Sequence, residues 1–189
     1  PWAGAGETQR GVHRLLGTSI PQGWDAQIRN EPVANLAYEH RRKYRLLGRQ
    51  EGWGLELLPV AGVALGNLFT QAQAGGVVRL GYRIPDDFGI TLLRGIGELP
   101  PPASRSALGV FMHAGGGGNL VLRDLTLDGN TVKDSPSVDK KLLVPIAVLG
   151  LGFGGPRFLA TFSYAYTGKE FAGQRGTGQF GALLLNYFF

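Results

Sequence analysis

Cysteine is missing from the 189 residues, which removes disulfide staples, thiolate metal sites and cysteine nucleophiles. No run of about 18 apolar residues occurs, so no segment can cross a bilayer as a helix. Charge is scarce: Asp, Glu, Lys and Arg make up 17% of the chain, against about 25% in ordinary soluble domains. Low charge beside 43% hydrophobic residues also excludes a disordered chain, which needs the opposite balance. Histidine occurs three times, at His13, His40 and His113, and never in a His-Glu-x-x-His spacing, so no zinc-hydrolase motif is present. The serines carry no nucleophile-elbow glycines around them, so no Ser-His-Asp hydrolase is legible either.

Glycine, by contrast, is abundant. It fills 31 positions, roughly twice the usual ~7%, without the three-residue period of collagen. Lys and Arg exceed Asp and Glu by 19 to 14, a net charge of +5. That balance suits an anionic partner such as an acidic lipid, a phosphorylated glycolipid or nucleic acid. No interleaved aromatic and basic motif of the nucleic-acid kind is present, so no nucleic-acid partner is expected.

From residue 33 onward the dominant pattern is alternation with period two, which places successive side chains on opposite faces of a sheet. Seven strands are predicted. At the end of the chain Gly181, Leu183, Leu185, Tyr187 and Phe189 share one face. Before them Phe158, Ala160, Phe162, Tyr164 and Tyr166 oppose Thr161, Ser163, Ala165 and Thr167. Over residues 68–84, Val78, Leu80 and Tyr82 oppose Gln71, Gln73, Arg79 and Arg83. Over 107–123, Val110, Met112, Leu120 and Leu122 oppose His113, Asn119 and Arg123. Over 51–66, Trp53, Leu55, Leu57, Val63 and Leu65 oppose Glu56 and several glycines. In the strand at 33–46, Asn35, Glu39, Arg41, Lys43 and Arg45 are polar. His40 and Arg42 fall on the apolar face opposite and call for a rim position or a kink. Residues 141–154 are apolar on both faces.

Strands of this length, with one apolar, aromatic-ended face and one charged face, suit a transmembrane β-barrel whose apolar face meets lipid. A soluble lipid-carrying barrel would turn the same face inward. The terminal Phe189 closing an alternating strand resembles the signal read by the outer-membrane barrel assembly machinery, and so favours lipid. If the last strand ends in the periplasm, residues 124–140 and 168–177 are external loops, and the turns near 47–50 and 154–157 are periplasmic. Residues 85–106 are then a long periplasmic connection. Residues 1–32 form an external segment, and residues 33–189 form the strands. Single-chain bacterial barrels have an even strand number, so seven strands with an external start predict further strands upstream.

One helix is predicted, at residues 7–16, with Val12, Leu15 and Leu16 on an apolar side and Gly17 as its stop. Gln9 and His13 are four apart and project side by side, as do Arg10 and Arg14. Histidine is the usual general base near neutral pH, and an adjacent amide can steady its ring or a water. The aspartates at 124, 128, 134 and 139 share one loop. They could offer oxygen to calcium, but their spacing matches no known calcium loop and favours a solvated loop. The run Gly115-Gly116-Gly117-Gly118 lacks the Lys-Ser/Thr of a phosphate loop, and reads as strand against which backbone packs closely.

The segment Pro21-Gln22-Gly23-Trp24-Asp25-Ala26-Gln27-Ile28-Arg29-Asn30-Glu31-Pro32 resembles the outer-membrane lipid A 3'-O-deacylases. So do Leu65-Gly66-Asn67, Arg79-Leu80-Gly81-Tyr82, Pro85-Asp86-Asp87-Phe88-Gly89 and Leu127-Asp128-Gly129-Asn130-Thr131, together with the stretch from Asp134 to Lys141 and the aromatic terminus. The resemblance implies an all-β, antiparallel transmembrane barrel of twelve strands, of which about seven are present here, with a short helix in an external loop. It implies an esterase acting on lipid A of lipopolysaccharide in the outer membrane, its active site facing the exterior. Gln9-Arg10-Gly11-Val12-His13 is similar to the active-site helix. This makes His13 the general base that activates water and Gln9 its polar support. Calcium is implied as oxyanion stabiliser, with ligands on strands upstream of Pro1. Arg10, Arg14 and Arg29 are then candidates for the phosphates of the substrate. A non-catalytic, porin-like barrel is the rival expectation.

Overall fold

The computed structural model describes residues 5–15, 17, 28–89 and 108–187, with the side chains of residues 5–9 outside the description. In chain order the elements are α1 (Ala5–Leu15), β1 (Asn35–Arg41), β2 (Tyr44–Gly48), β3 (Trp53–Gly66), β4 (Phe69–Tyr82), β5 (Gly109–Asp124), α2 (Leu125–Asp128), β6 (Leu143–Gly154), β7 (Phe158–Thr167) and β8 (Gly178–Tyr187). The strands form one antiparallel meander in the order β1-β3-β4-β5-β6-β7-β8, with β2 also on β3. β1 pairs with residues 60–66 of β3 and β2 with residues 54–57, so the two share one position. The described sheet therefore has the seven strand positions that the alternation predicts.

The break between β1 and β2 falls where His40 and Arg42 spoil the alternation. Both are exposed, and Arg42 Nε donates to His40 Nε2 at 3.2 Å. The ladder continues across the break, since Arg42 N donates to Pro59 O at 3.1 Å. A second departure lies in β5. A bulge between Gln71 and Thr70 of β4 and their partners Val121 and Arg123 advances the strand by one residue. Asp124, and not Arg123, is consequently the buried residue there. The helix, predicted at 7–16, spans Ala5–Leu15. The apolar stretch predicted as a strand at 141–154 is one.

The faces sort as a membrane barrel requires. The outward side chains of β3 to β8 carry one charge, Arg123 at the end of β5, and large apolar groups among them stand open: Leu65 at 60%, Leu151 at 60% and Leu185 at 71% exposure. A soluble barrel would bury this set, because water-soluble monomers rarely expose apolar patches beyond a few hundred Å². Trp53, Tyr82, Phe153, Phe158 and Tyr187 gather at one end, with Trp53 against Tyr82 and Phe153 against Phe158. Such aromatic groups suit a lipid–water boundary. β3 and β4 have 14 residues each. At ~3.3 Å per residue and a tilt near 40° they rise about 35 Å, enough for the ~30 Å hydrocarbon layer. No helix among the described residues is long and apolar enough to cross a membrane.

Inward, one row of side chains runs across the sheet through Arg45, Glu56, Arg79, His113, Gly150 and Ser163. Glu56 is fully buried and Arg79 nearly so, at 1% exposure. Arg79 Nη2 donates to Glu56 Oε2 at 2.6 Å and Arg45 Nη2 donates to Glu56 Oε1 at 2.7 Å. Arg79 also pairs with Asp87 and donates to the Pro85 carbonyl. Asp87 reaches this position because the chain turns back after β4. Arg83 adopts a left-handed backbone at φ 51°, an uncommon conformation for a residue with a Cβ. Ile84, Pro85 and Asp87 then fold under the sheet and are buried, Ile84 against Phe111 and Leu159. The two arginines and two carboxylates balance to zero charge.

Further along the row His113 Nε2 meets Ser163 Oγ at 3.1 Å. The path between them crosses Gly150, where a Cβ would lie 2.5 Å from the imidazole. The glycine run 115–118 pairs with Ala74, Gly75, Gly76 and Val77 of β4. A Cβ on Gly117 would sit 2.4 Å from the Ala74 carbonyl oxygen, so close backbone packing explains that run.

Removing one partner from a buried ion pair strands the other, at a cost of about 3–5 kcal/mol. Glu56→Ala is therefore expected to lower the temperature at which the detergent-solubilised protein loses its β-sheet circular dichroism. Leu65→Ala, on the outward face, should shift it far less. Equal shifts would refute a buried anchor at Glu56.

Candidate functional site

The end of the sheet that carries the two loops 125–142 and 168–177 is its loop rim. Residues 28–34, which follow α1 in the sequence and precede β1, lie at this rim. Arg14 and His13 occupy the last turn of α1, where the free carbonyls favour positive charge. Gly17, at φ 64°, follows, its N–H donating to the Arg14 carbonyl. His13 is half-buried, while Arg10 and Arg14 are exposed. Val12 and Leu15 are exposed at 47% and 86%. Gln9 lies one turn before His13 on the same helix, with its side chain outside the described residues, as is Leu16. Arg29 is exposed on the segment between helix and sheet, so the three arginines are split between two places.

That segment is pinned to the rim by side-chain hydrogen bonds. Asn130 Oδ1 accepts from Arg29 N at 2.7 Å while Asn130 Nδ2 donates to Arg29 O at 2.7 Å, copying the paired bonds of a strand. Glu31 Oε2 accepts from Asn130 Nδ2 and from Thr131 N, both at 2.9 Å. Glu31 Oε1 accepts from Thr131 Oγ1 at 2.8 Å and from Asn67 Nδ2 at 3.4 Å. Asn67, in the turn between β3 and β4, accepts from Ala34 N on its Oδ1 and donates from Nδ2 to Pro32 O. Arg123 donates to Gly129 O and Thr131 Oγ1 from the other side. The Asn130 amide, aided by both Thr131 donors, holds the Glu31 carboxyl below its ordinary range against the opposing effect of burial.

The neighbouring loop starts with a built corner. Asp124 Oδ1 accepts from Thr126 N at 2.9 Å and from its hydroxyl at 2.6 Å, capping α2. Asp128 accepts from Asp124 N and from Lys140 Nζ, both at 2.8 Å. Gly129 ends α2 at φ 80°, where a Cβ would stand 2.7 Å from Ser135 Oγ, so only glycine fits without strain. Two of the four loop aspartates are thus engaged by protein donors. Farther along, the two long loops join: Lys141 N donates to Glu170 O at 2.7 Å and Ala172 N donates to Asp139 O at 2.8 Å.

Below this junction the inner face holds a cavity of about 480 Å³. Val144, Ile146, Val148, Ala165, Phe180 and Leu184 are its apolar lining; Asn119, Thr161 and Ser163 add polar groups, and Asp124, Lys141 and Glu170 come from the rim. The apolar inner face of β6 belongs to this lining, which is why residues 141–154 read as apolar on both sides. Apolar walls with a few polar groups are the usual make-up of a small-molecule site. His13 is not among the described lining residues.

Among the described residues no three His, Asp or Glu side chains come together in a group that could hold a metal ion.

The family model of outer membrane protein LpxR matches residues 1–189. The chain belongs to the LpxR family of outer-membrane proteins. Among solved structures, LpxR from Salmonella typhimurium is similar, with a TM-score of 0.75 at 22% identity over 98% of this chain. At that identity the likeness is one of fold, and it agrees with the meander and its outward apolar face. The chain spans 62% of the length of that LpxR structure. No curated protein sequence matches.

Alternation does not single out Glu31, Asn67, Arg123 or Asn130, although three of them lie in the motifs that carry the family resemblance. The available signal is a polar, amide-rich cluster at strand ends, where the apolar period stops.

Burial acts to raise the Asp128 carboxyl, but Lys140 and the Asp124 N–H outweigh it and hold it below the ordinary aspartate range. Stability from this pair is present above the unfolded aspartate value of about 3.9 and disappears as pH falls through the lower folded value. Carbon-detected titration of Asp128 should give a midpoint below that of an unfolded chain, and Lys140→Met should move it upward. A midpoint that ignores Lys140→Met would discard the pair.

Proposed function

We propose that this protein is an outer-membrane esterase of the lipid A 3'-O-deacylase kind, with its loop rim facing the cell exterior. The observation that carries the reading is the match of residues 1–189 to the LpxR family, joined to a histidine-bearing helix that precedes in sequence a segment hydrogen-bonded to that rim. In the proposed chemistry His13 accepts a proton from water while the water oxygen attacks the ester carbonyl. The tetrahedral intermediate then breaks its bond to the sugar oxygen, and His13 returns the proton to that leaving oxygen. Gln9 steadies the imidazole or its water from one turn away. No serine or cysteine nucleophile is needed, in keeping with a sequence that offers no elbow motif and no cysteine.

Ester hydrolysis builds negative charge on the carbonyl oxygen, and a calcium ion would stabilise that charge when bound. Among the described residues no three His, Asp or Glu side chains cluster to hold such an ion, and the proposed steps are those of the imidazole and its water. Arg10, Arg14 and Arg29 are proposed to meet the phosphates of the lipid A headgroup, a role suited to exposed guanidinium groups. The bilayer itself supplies the other partner, outer-membrane lipid along the apolar band. The barrel assembly machinery is proposed to read the terminus at Phe189, which lies outside the described residues.

The rival porin-like reading needs an open lumen. Against it stand the buried Arg45–Glu56–Arg79–Asp87 network and the inward fold of Ile84 and Pro85, which fill the inner face at the aromatic end.

The test compares the complete gene product with its His13→Ala variant on lipid A, following acyl loss by mass spectrometry. Loss of a general base costs about 10²–10⁴-fold in rate, so a fall of at least a hundredfold is expected, with the same detergent-extracted fold. Equal acyl loss in both proteins would remove His13 from the chemistry. No acyl loss in either would remove the deacylase reading.

A further inference from the structure

We propose that Glu31 is a positioning residue: through Asn67, Asn130 and Thr131 its carboxylate fixes to the loop rim the segment that carries the His13 helix. The inference deepens the deacylase reading and, where it concerns rate, rests on it. Its basis is the convergence of bonds on one short stretch. Four donors meet the two Glu31 oxygens, from the β3–β4 turn and from the loop after α2. Asn130 adds the reciprocal pair with the Arg29 main chain. Asn67 holds Pro32 and Ala34, and Lys133 Nζ donates to Asn30 O. Every residue from 29 to 32 and residue 34 is thus bonded to the rim, immediately before β1 begins at Asn35.

This density exceeds what a strand needs in order to start. β1 is already registered on β3 by its own ladder. The added bonds fix the stretch that lies between the sheet and α1. Arg29 is sixteen positions after His13 in the sequence, so fixing it holds in place the rim end of the chain that leads from the helix. A carboxylate suits the role because it accepts from several donors at once, whereas a neutral amide must spend one side on donation. Reacting groups displaced by about 1 Å can lose about a hundredfold in rate, so a clamp that narrows the positions open to His13 acts on turnover rather than on substrate affinity.

The test uses the complete gene product in detergent. The described chain contains no cysteine, and a side chain at Gly11 meets nothing within 4 Å. A nitroxide on Gly11→Cys therefore reports the motion of α1 independently of activity. Glu31→Ala is expected to narrow the nitroxide lines and to lower kcat for lipid A deacylation about tenfold or more, with KM within about twofold. The unfolding temperature should stay within a few degrees. Glu31→Gln, which keeps one acceptor oxygen, should restore part of both signals. If Glu31→Ala fails to fold, Asn130→Ala, which frees the Arg29 main chain, must give the same pair of changes. An unchanged nitroxide spectrum in the folded variants overturns the proposal whatever the activity. A narrowed spectrum with undiminished kcat in an active parent overturns its catalytic part. Inactivity of the parent ends the deacylase reading, and the nitroxide then decides the clamp alone.

Discussion

Hydrocarbon offers a backbone amide no partner, and each unmet N–H or C=O within it costs several kcal/mol. A chain without an 18-residue apolar run has one way to live there, which is to pair strands side by side. From that constraint the rest follows. Strands must be long enough to cross, so β3, β4 and β5 run to 14 and 16 residues. Their outward faces must be uncharged within the hydrocarbon, and from β3 to β8 they are, apart from Arg123 at the rim end of β5. Polar groups can be kept only inside or at the ends. The Glu56–Arg79 pair accordingly sits inward, while the Glu31 cluster lies beyond the strands at the rim.

This division explains what the sequence shows easily and what it hides. Period-two alternation is a direct imprint of lipid on one face and protein on the other, so strand number, facing and most bounds are legible. Where it fails, the structure contains a local event. His40 and Arg42 mark a break in the strand, and the advance between Val121 and Arg123 marks a bulge that buries Asp124. Residues 141–154 look ambiguous because the inner face of β6 lines a cavity and is as apolar as the outer one. The motif at Pro85-Asp86-Asp87-Phe88-Gly89 looks like a loop. Its meaning appears only when Asp87 meets Arg79 across the fold, and no local pattern encodes that meeting.

The candidate site was legible to a different degree. His13 on a helix that ends before Gly17 follows from spacing and turn chemistry. The polar clamp does not, because its members lie at positions 29–34, 67, 123 and 130–131, and hydrogen bonding between distant segments has no period. The same holds for His113 and Ser163. They are fifty residues apart and meet only because Gly150 lies between them in the row.

The sheet's two outer edges carry the same logic to its last step. Among the described residues β8 pairs only with β7, and β1 only with β3. Their other sides present rows of amides and carbonyls to whatever lies beside them. In water an exposed edge is an aggregation risk; in hydrocarbon it is an energetic impossibility over ten residues. In a membrane-embedded form both edges must therefore be paired. The LpxR structure, of which this chain spans 62%, shows that the same meander is compatible with a longer chain. Closure of that kind would also cover the inner face, turning the open side of the cavity beside Ser163 into a wall. The buried Glu56–Arg79 pair would then lie deeper still, where loss of either charge is least tolerated.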